Sequence, residues 1–345
     1  MAQGSFRNGL DFEAPILELE QKIEELKSFS QTTQVDLSDQ IEKLIERCNE
    51  KKRAIFSKLT PWQKVLTARH PRRPLSTDYV QLMVDDFVEV YGDRTFRDDP
   101  SILTGFGKIG GNRVCVIGHR KGRDTTEKLA CYFGCSHPEG YRKALLKMKL
   151  AEKFGIPILT LINTPGAYPG IGAEERGQAF IIAKNLMVMA GLKVPVLCVV
   201  IGEGGSGGAL GIGVGNRILM LEHSYYSVIS PEGCAAILWK SAEFKERAAE
   251  ILKLTAEDLL SLGIIDEIVP EPLGGAHRNA AQMAATVKGH FLRHLSELSK
   301  LSGEALVEDR YQKLKRMGVF LENAPPPVAS QVSHEISAAI SAASR

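Results

Sequence analysis

From Ile201 to Gly215 the chain reads IGEGGSGGALGIGVG, a run in which glycines leave main-chain amides open to whatever lies beside them. Three kinds of chemistry use such a run. Gly202, Gly204 and Gly207 satisfy the G-x-G-x-x-G spacing of a dinucleotide site, with Glu222 near the end of the next strand, where a ribose-binding acid belongs. That site needs an uninterrupted helix after the turn, whereas Gly211, Gly213 and Gly215 each cost a helix about 1 kcal/mol relative to alanine. Gly204, Ser206 and Gly208 satisfy G-x-S-x-G, a nucleophile elbow, with Asp266 and His277 downstream in the order a serine triad requires. No local pattern marks either as a partner. A P-loop is excluded, since no Lys-Ser or Lys-Thr closes a glycine loop.

The third chemistry uses the backbone itself. Successive N–H groups at a helix start hold an oxyanion, and one such donor in a dry site is worth ~3 kcal/mol of barrier. A second loop, NTPGAYPGIGAEERG from Asn163 to Gly177, repeats the arrangement after another apolar run. If the two strands are parallel neighbours, both turns emerge at the sheet edge where α/β folds bind ligands.

Apolar runs predict strands at Arg113–His119, Leu129–Gly134, Ile156–Asn163, Val194–Gly202, Arg217–Leu221, Tyr225–Ile229 and Ile264–Val269. Helical segments alternate with them at Pro138–Phe154, Ala173–Ala190 and Ala242–Leu254, which is the pattern of a layered α/β fold. Upstream, Ile16, Leu19, Ile23 and Leu26, then Ile41, Leu44, Cys48 and Ile55, recur at helical spacing around the polar stretch SFSQTTQVD, so a helical hairpin is expected. Three regions follow: 1–77, the hairpin and a basic segment; 78–320, the α/β domain; and 321–345, a flexible C-terminal tail that contains Pro325–Pro327.

Charge is distributed unevenly. Residues 51–77 hold eight Lys or Arg and no acid, which reads as a solvated face. Lys121, Arg123 and Lys128 cluster on one connection and are candidates for phosphate contacts. Glu174 and Glu175 open a helix, where acids suit the dipole. Glu203 lies inside the oxyanion loop with a charge that opposes a developing anion, so it is expected to point away and hold the loop, through Arg176.

The composition of the 345 residues, 44% hydrophobic with 43 basic against 41 acidic side chains, excludes whole-chain disorder. No apolar run approaches the ~20 residues of a membrane helix, and the start lacks a secretory pattern. Six cysteines in that setting read as reduced thiols of a cytoplasmic protein. Cys131 and Cys135 have no second pair, so no metal is expected. Nor is nucleic acid, because the basic segment lacks interleaved aromatics.

Eight motifs, collinear over residues 10–320, carry a resemblance: LDFEAPILELEQKI, ARHPRRPLSTDYV, IGHRKGRDTTEK, PEGYRKAL, INTPGAYPGIGAEERGQ, the Ile201–Gly215 run, SVISPEGCAAILWKSA and VPEPLGGAHRN. Together they resemble the alpha-subunit family of bacterial-type acetyl-CoA carboxylase carboxyltransferases. The resemblance implies a crotonase-like fold, a beta subunit bearing a zinc ribbon, and an alpha2beta2 assembly served by biotin carboxylase and a biotin carboxyl carrier protein. The implied reaction moves a carboxyl group from carboxybiotin to acetyl-CoA, a coenzyme A thioester, giving malonyl-CoA for fatty-acid synthesis. It further implies that Gly204 and Gly205 are backbone oxyanion donors on the carboxybiotin side. Gly166, Ala167, Gly207, Ser230 and Gly233 are implied to line the same cavity. The competing expectation is a stand-alone crotonase-type acyl-CoA hydratase or isomerase working through Glu174 or Glu175.

Overall fold

The structure is a computed structural model that describes residues 9–318; the expected C-terminal tail lies outside the described residues. Helices α1 (Ala14–Thr33) and α2 (Ser38–Phe56) form the expected hairpin around Ile16, Ile23, Cys48 and Phe56. Its turn is shorter than the polar stretch suggested: Ser28–Thr33 stays helical, and Gln34 breaks the helix with a left-handed φ of 55°. Next come α3 (Pro61–Ala68), capped by Thr60, and α4 (Ser76–Met83).

Three antiparallel strands follow, β1 (Asp85–Glu89), β2 (Ile102–Ile109) and β3 (Asn112–His119). After α5 (Thr125–Ala130) and α6 (Pro138–Lys153) the chain enters β4 (Ile158–Thr164), then α7 (Ile171–Glu175), α8 (Gln178–Gly191), β5 (Val196–Gly205) and α9 (Ser206–Leu210). It continues through β6 (Arg217–Leu221), β7 (Tyr225–Ser227), α10 (Pro231–Trp239), α11 (Lys245–Ile251), α12 (Ala256–Ser261), β8 (Glu267–Val269), α13 (Ala280–Leu298) and α14 (Gly303–Arg316). The sheet order is β1-β2-β3-β4-β5-β6-β8, parallel from β3 onward, and β7 pairs with the end of β5.

The sheet is covered on both faces, which explains the continuous apolar runs of its central strands. In β5, Val196, Cys198 and Val200 join a cluster with Tyr141, Met148, Ile181 and Met189. The alternate residues Leu197, Val199 and Ile201 join the opposite cluster with Tyr79, Met83, Met283 and Phe291. Among the described residues no helix is long and apolar enough to cross a membrane.

Several expectations are corrected. Leu129–Gly134 is not a strand: Asp124 accepts the Glu127 N–H and starts α5, and Tyr132 and Phe133 adopt left-handed φ angles of 49° and 55°. The helix expected over Ala173–Ala190 divides at Gly177, whose φ of 82° suits a residue without Cβ. The segment expected over Ala242–Leu254 is regular α-helix only across α11.

Arg310 of α14 is fully buried and stitches the domain together. Its guanidinium donates to the carbonyls of Met189 (2.8 Å), Ala190 (3.1 Å), Leu192 (3.0 Å) and Val194 (3.3 Å) and to Asn216 Oδ1 (2.6 Å). These carbonyls lie at the end of α8 and the approach to β5, so the cation meets the negative end of a helix dipole.

Candidate active site

The two glycine turns meet at the adjoining ends of β4 and β5, where Thr164 is in register with Gly204. They touch backbone to backbone. A Cβ on Gly205 would stand 2.1 Å from the Pro165 carbonyl oxygen, and one on Gly208 would stand 2.5 Å from Ala167 N. The Thr164 hydroxyl receives the Gly166 N–H (3.1 Å) and donates to the Gly134 carbonyl (2.7 Å), which fixes the first turn beneath the second.

Gly204 and Gly205 are buried as the last residues of β5, with the Tyr226 ring over Gly204. Ser206 and Gly207 are half-buried and open the first turn of α9. Gly205, its N-cap, has no side chain to cap the first-turn amides. A Cβ on Gly207 would meet nothing closer than Ile182, at 3.9 Å. Ser206 and Gly207 border an apolar cavity of about 370 Å³, with Tyr226, Val228, Leu252, Leu259 and Met317 among its walls. Ser230 caps α10 by accepting the Gly233 N–H (3.1 Å), and neither residue lines this cavity.

A second, charged cleft of about 380 Å³ opens on the other side of the strand ends, lined by Arg69, Lys121, Lys128, Phe133, Pro165 and Glu203 among others. Glu203 is buried there with both oxygens occupied. Oε1 accepts from Arg69 Nε (2.7 Å) and the Tyr225 hydroxyl (2.7 Å), while Oε2 pairs with Lys121 Nζ. Its own N–H donates to Asn163 Oδ1 (3.1 Å). Arg69 reaches onward to Glu232 (2.5 Å), tying α3 to α10. Glu203 therefore does hold the loop, but through Arg69, Lys121 and Tyr225; Arg176 pairs with Glu139 instead (2.7 Å). Lys121 and Lys128 face the cleft together, whereas Arg123 turns away to Asp78.

The basic segment is only in part the solvated face that its composition suggested: Lys51, Arg53, Lys58 and Arg72 are exposed, and the other four cations are drawn inward. Arg73 is buried against Glu271, Ser224 and the Ile201 carbonyl. Lys64 pairs with Glu257 and Lys52 with Glu20. The pairing of Arg69 with Glu203, Tyr225 and Glu232 was not picked out from sequence. The acid-free run of cations is the signal that could have found it, since four of the eight are answered by distant acids.

The serine-triad alternative fails on geometry. Ser206 has the left-handed φ of an elbow residue, 52°, but Asp266 is engaged by Lys313 and the Ile218 N–H, and His277 donates to Glu13 (3.1 Å). Glu13, His70 and His277 form a buried cluster of a composition that binds metals. However, His70 Nδ1 accepts the Arg72 N–H (3.1 Å), which leaves the proton on Nε2, the nitrogen facing Glu13. Arg278 (2.7 Å) and the Leu10 N–H (3.1 Å) also donate to Glu13. Glu13 is thus answered by His277, Arg278 and Leu10, while His70 Nε2, at 3.6 Å, forms no hydrogen bond to it.

Burial pushes the carboxyls of Glu13, Glu203 and Glu271 up, yet the cations and donors around them prevail and hold all three at about 2. Each is lower than in the unfolded chain, so the stabilisation is complete above about pH 4.5 and is lost as pH falls toward 2. The melting temperature is expected to stay flat through neutral pH and to drop by on the order of 10 °C between pH 5 and 3, as measured by calorimetry.

A family model described as acetyl co-enzyme A carboxylase carboxyltransferase-like matches residues 9–318. The acetyl-coenzyme A carboxylase carboxyl transferase subunit alpha of Rhodopirellula baltica is 52% identical over 318 residues, covering 91% of this chain and 98% of that one. Its counterpart in Geobacillus kaustophilus is 57% identical over 309 residues, covering 90% and 95%. Among solved structures, the transcarboxylase 12S core with methylmalonyl-coenzyme A bound superposes with a TM-score of 0.54 at 16% identity, over 72% of this chain and 44% of that one. A Pseudomonas malonate decarboxylase heterodimer gives 0.51 at 17%, over 63% and 91%. These structural likenesses speak for the fold alone, and it is the crotonase-like α/β fold expected.

Proposed function

The chain belongs to the acetyl-coenzyme A carboxylase carboxyltransferase family, and on that premise we propose that it is the alpha subunit that moves a carboxyl group from carboxybiotin to acetyl-CoA, forming malonyl-CoA. The observation that carries the reading is the junction of two glycine turns, with the unobstructed Gly207 beside an apolar cavity. The apolar walls suit the bicyclic ring and alkyl arm of biotin, and the turn suits its polar edge.

Carboxybiotin, borne on a biotin carboxyl carrier protein, supplies both the carboxyl group and, once that group has left, a base for the acetyl methyl. The chain itself then needs no general base. Its work is to hold charge: Gly204 and Gly205 are the backbone oxyanion donors of this reading, buried at the end of β5 and outside the lining of both cavities, with Gly207 at the mouth. Gly166 and Ala167 back this turn through their main-chain contact with Gly208. Ser230 and Gly233, implied by the resemblance to line the cavity, instead cap the start of α10 and stand outside it. Lys121 and Lys128 offer positive charge to anionic parts of the substrates, carboxylate or coenzyme A phosphate; Arg123, drawn to Asp78, stands outside the cleft.

The donors facing the thioester belong to the zinc-ribbon beta subunit in an alpha2beta2 assembly that works with biotin carboxylase in the cytoplasm. Phe180 and Met187, seven residues apart on α8 and each more than two-thirds exposed, support a protein partner, since exposed apolar side chains on one helix face suit an interface. The hydratase or isomerase reading has no favouring observation. Glu174 and Glu175 lie exposed on α7, and Glu203 is held ionised by three donors, which unsuits it to give up a proton.

Copurification with the beta subunit, followed by malonyl-CoA decarboxylation in the presence of free biotin, tests the proposal. Activity is expected from the complex and not from either chain alone. Hydration of enoyl-CoA by the isolated chain would overturn it.

A further inference from the structure

Resting on the carboxyltransferase reading, we propose that Lys121 receives an anionic group of the substrate in the charged cleft, and that Glu203, braced by Arg69 and Tyr225, is the positioning residue that aims it. Glu203 ends the apolar run of β5 immediately before Gly204, and its side chain is only 5% exposed. Three donors converge on its carboxylate from the C-cap of α3, from β7 and from the β3–α5 connection. Arg69 and Tyr225 close a ring on the same oxygen, because Arg69 also donates to the Tyr225 hydroxyl (3.1 Å). Only an ionised acid accepts from all of these at once; an amide would turn its NH₂ against at least one donor.

Lys121 is held differently. Its side chain remains 20% exposed and lines the cleft, and among the described residues its ammonium has no partner other than Glu203. A lysine ammonium carries three donors, so two remain for a ligand. Pinning the side chain in advance removes much of the ~2 kcal/mol of rotamer entropy that a free lysine loses on binding. Gly134 contributes to the fixing, since a Cβ there would press on Lys121 Cγ at 2.7 Å.

The surrounding charges leave room for an anion. Arg73 is answered by Glu271, and burial together with its cationic neighbours holds His70 neutral, its pKa lowered to about 3. Arg69, Lys121 and Lys128 then face Glu203 and Glu232, and Lys128 makes no ion pair among the described residues. The balance is positive by one charge. A carboxylate, or one oxygen face of a phosphate, completes it.

The test uses the alpha–beta complex with malonyl-CoA and biotin, in a cycle of Lys121→Met, Glu203→Gln and the double variant. If Glu203 acts by aiming Lys121, each single change raises KM or lowers kcat by roughly tenfold or more, and the double variant is no worse than the worse single. Lys121→Arg, which keeps the charge, restores part of the loss. Should Glu203→Gln fail to fold, Tyr225→Phe loosens the same carboxylate without removing it and takes its place in the cycle. Malonyl-pantetheine, which lacks the coenzyme A phosphates, separates the two anion sources. A KM effect confined to malonyl-CoA assigns a phosphate to Lys121, and equal losses with both substrates assign the transferred carboxylate. Additive effects, or unchanged kinetics in an active complex, overturn the inference and leave the carboxyltransferase reading standing. An inactive wild-type complex overturns both.

Discussion

Gly205→Ala is expected to lower carboxyl transfer by about 10²-fold or more, because a misplacement of about 1 Å at a reacting centre has that effect. The new methyl would lie 2.1 Å from the Pro165 oxygen and 2.3 Å from its carbonyl carbon, both main-chain atoms that no rotamer change can move aside. The strand ends must part, carrying the first-turn amides of α9 away from the oxyanion position. Overpacking of this kind also destabilises by roughly 1–3 kcal/mol. Gly207→Ala is the informative contrast. A methyl there has space on every side within the chain, so the melting temperature should hold while activity falls from obstruction of the cavity mouth. Steady-state kinetics of the complex beside calorimetry of the chain distinguishes the two. Full activity in Gly205→Ala would mean that the junction of the turns has no part in the chemistry.

Arg310→Met is expected to give the largest loss of stability, about 3–5 kcal/mol, since removing one partner strands the buried polar groups it served. Four carbonyls and the Asn216 amide oxygen accept from this one guanidinium, which is fully buried. For a chain of this size the melting temperature should fall by roughly 10 °C. Arg310→Lys should recover only part, because a single ammonium cannot span the fork of acceptors. A melting temperature for Arg310→Met within about 2 °C of wild type would show that the acceptors find other donors.

The parts of the fold that were legible in the sequence are those where one local rule decides. Ile158–Thr164 and Val196–Gly205 announce themselves because both faces of each strand are buried, and Arg217–Leu221 was read to the residue. The antiparallel pair β1 and β2 was missed: Asp85–Glu89 is an edge strand of half-solvated, acidic composition, and Ile102–Ile109 carries two glycines. The run from Leu129 to Gly134 misled because its apolar content outweighed the cap at Asp124. In the site, the meeting of the glycine turns followed from strand adjacency. The charge network did not, since Arg69 and Glu203 are 134 positions apart and no spacing rule couples them.

The contact between Glu13 and Arg278 joins positions 265 residues apart. On a ribosome, the hairpin therefore emerges long before its berth exists: Glu13 and Glu20 must wait for Arg278, and Phe56 for His223, until the far end of the chain is synthesised. Helix formation is fast and closure of so long a loop is slow, so docking of the hairpin should be the last event of maturation and the step at which holdase chaperones are most needed.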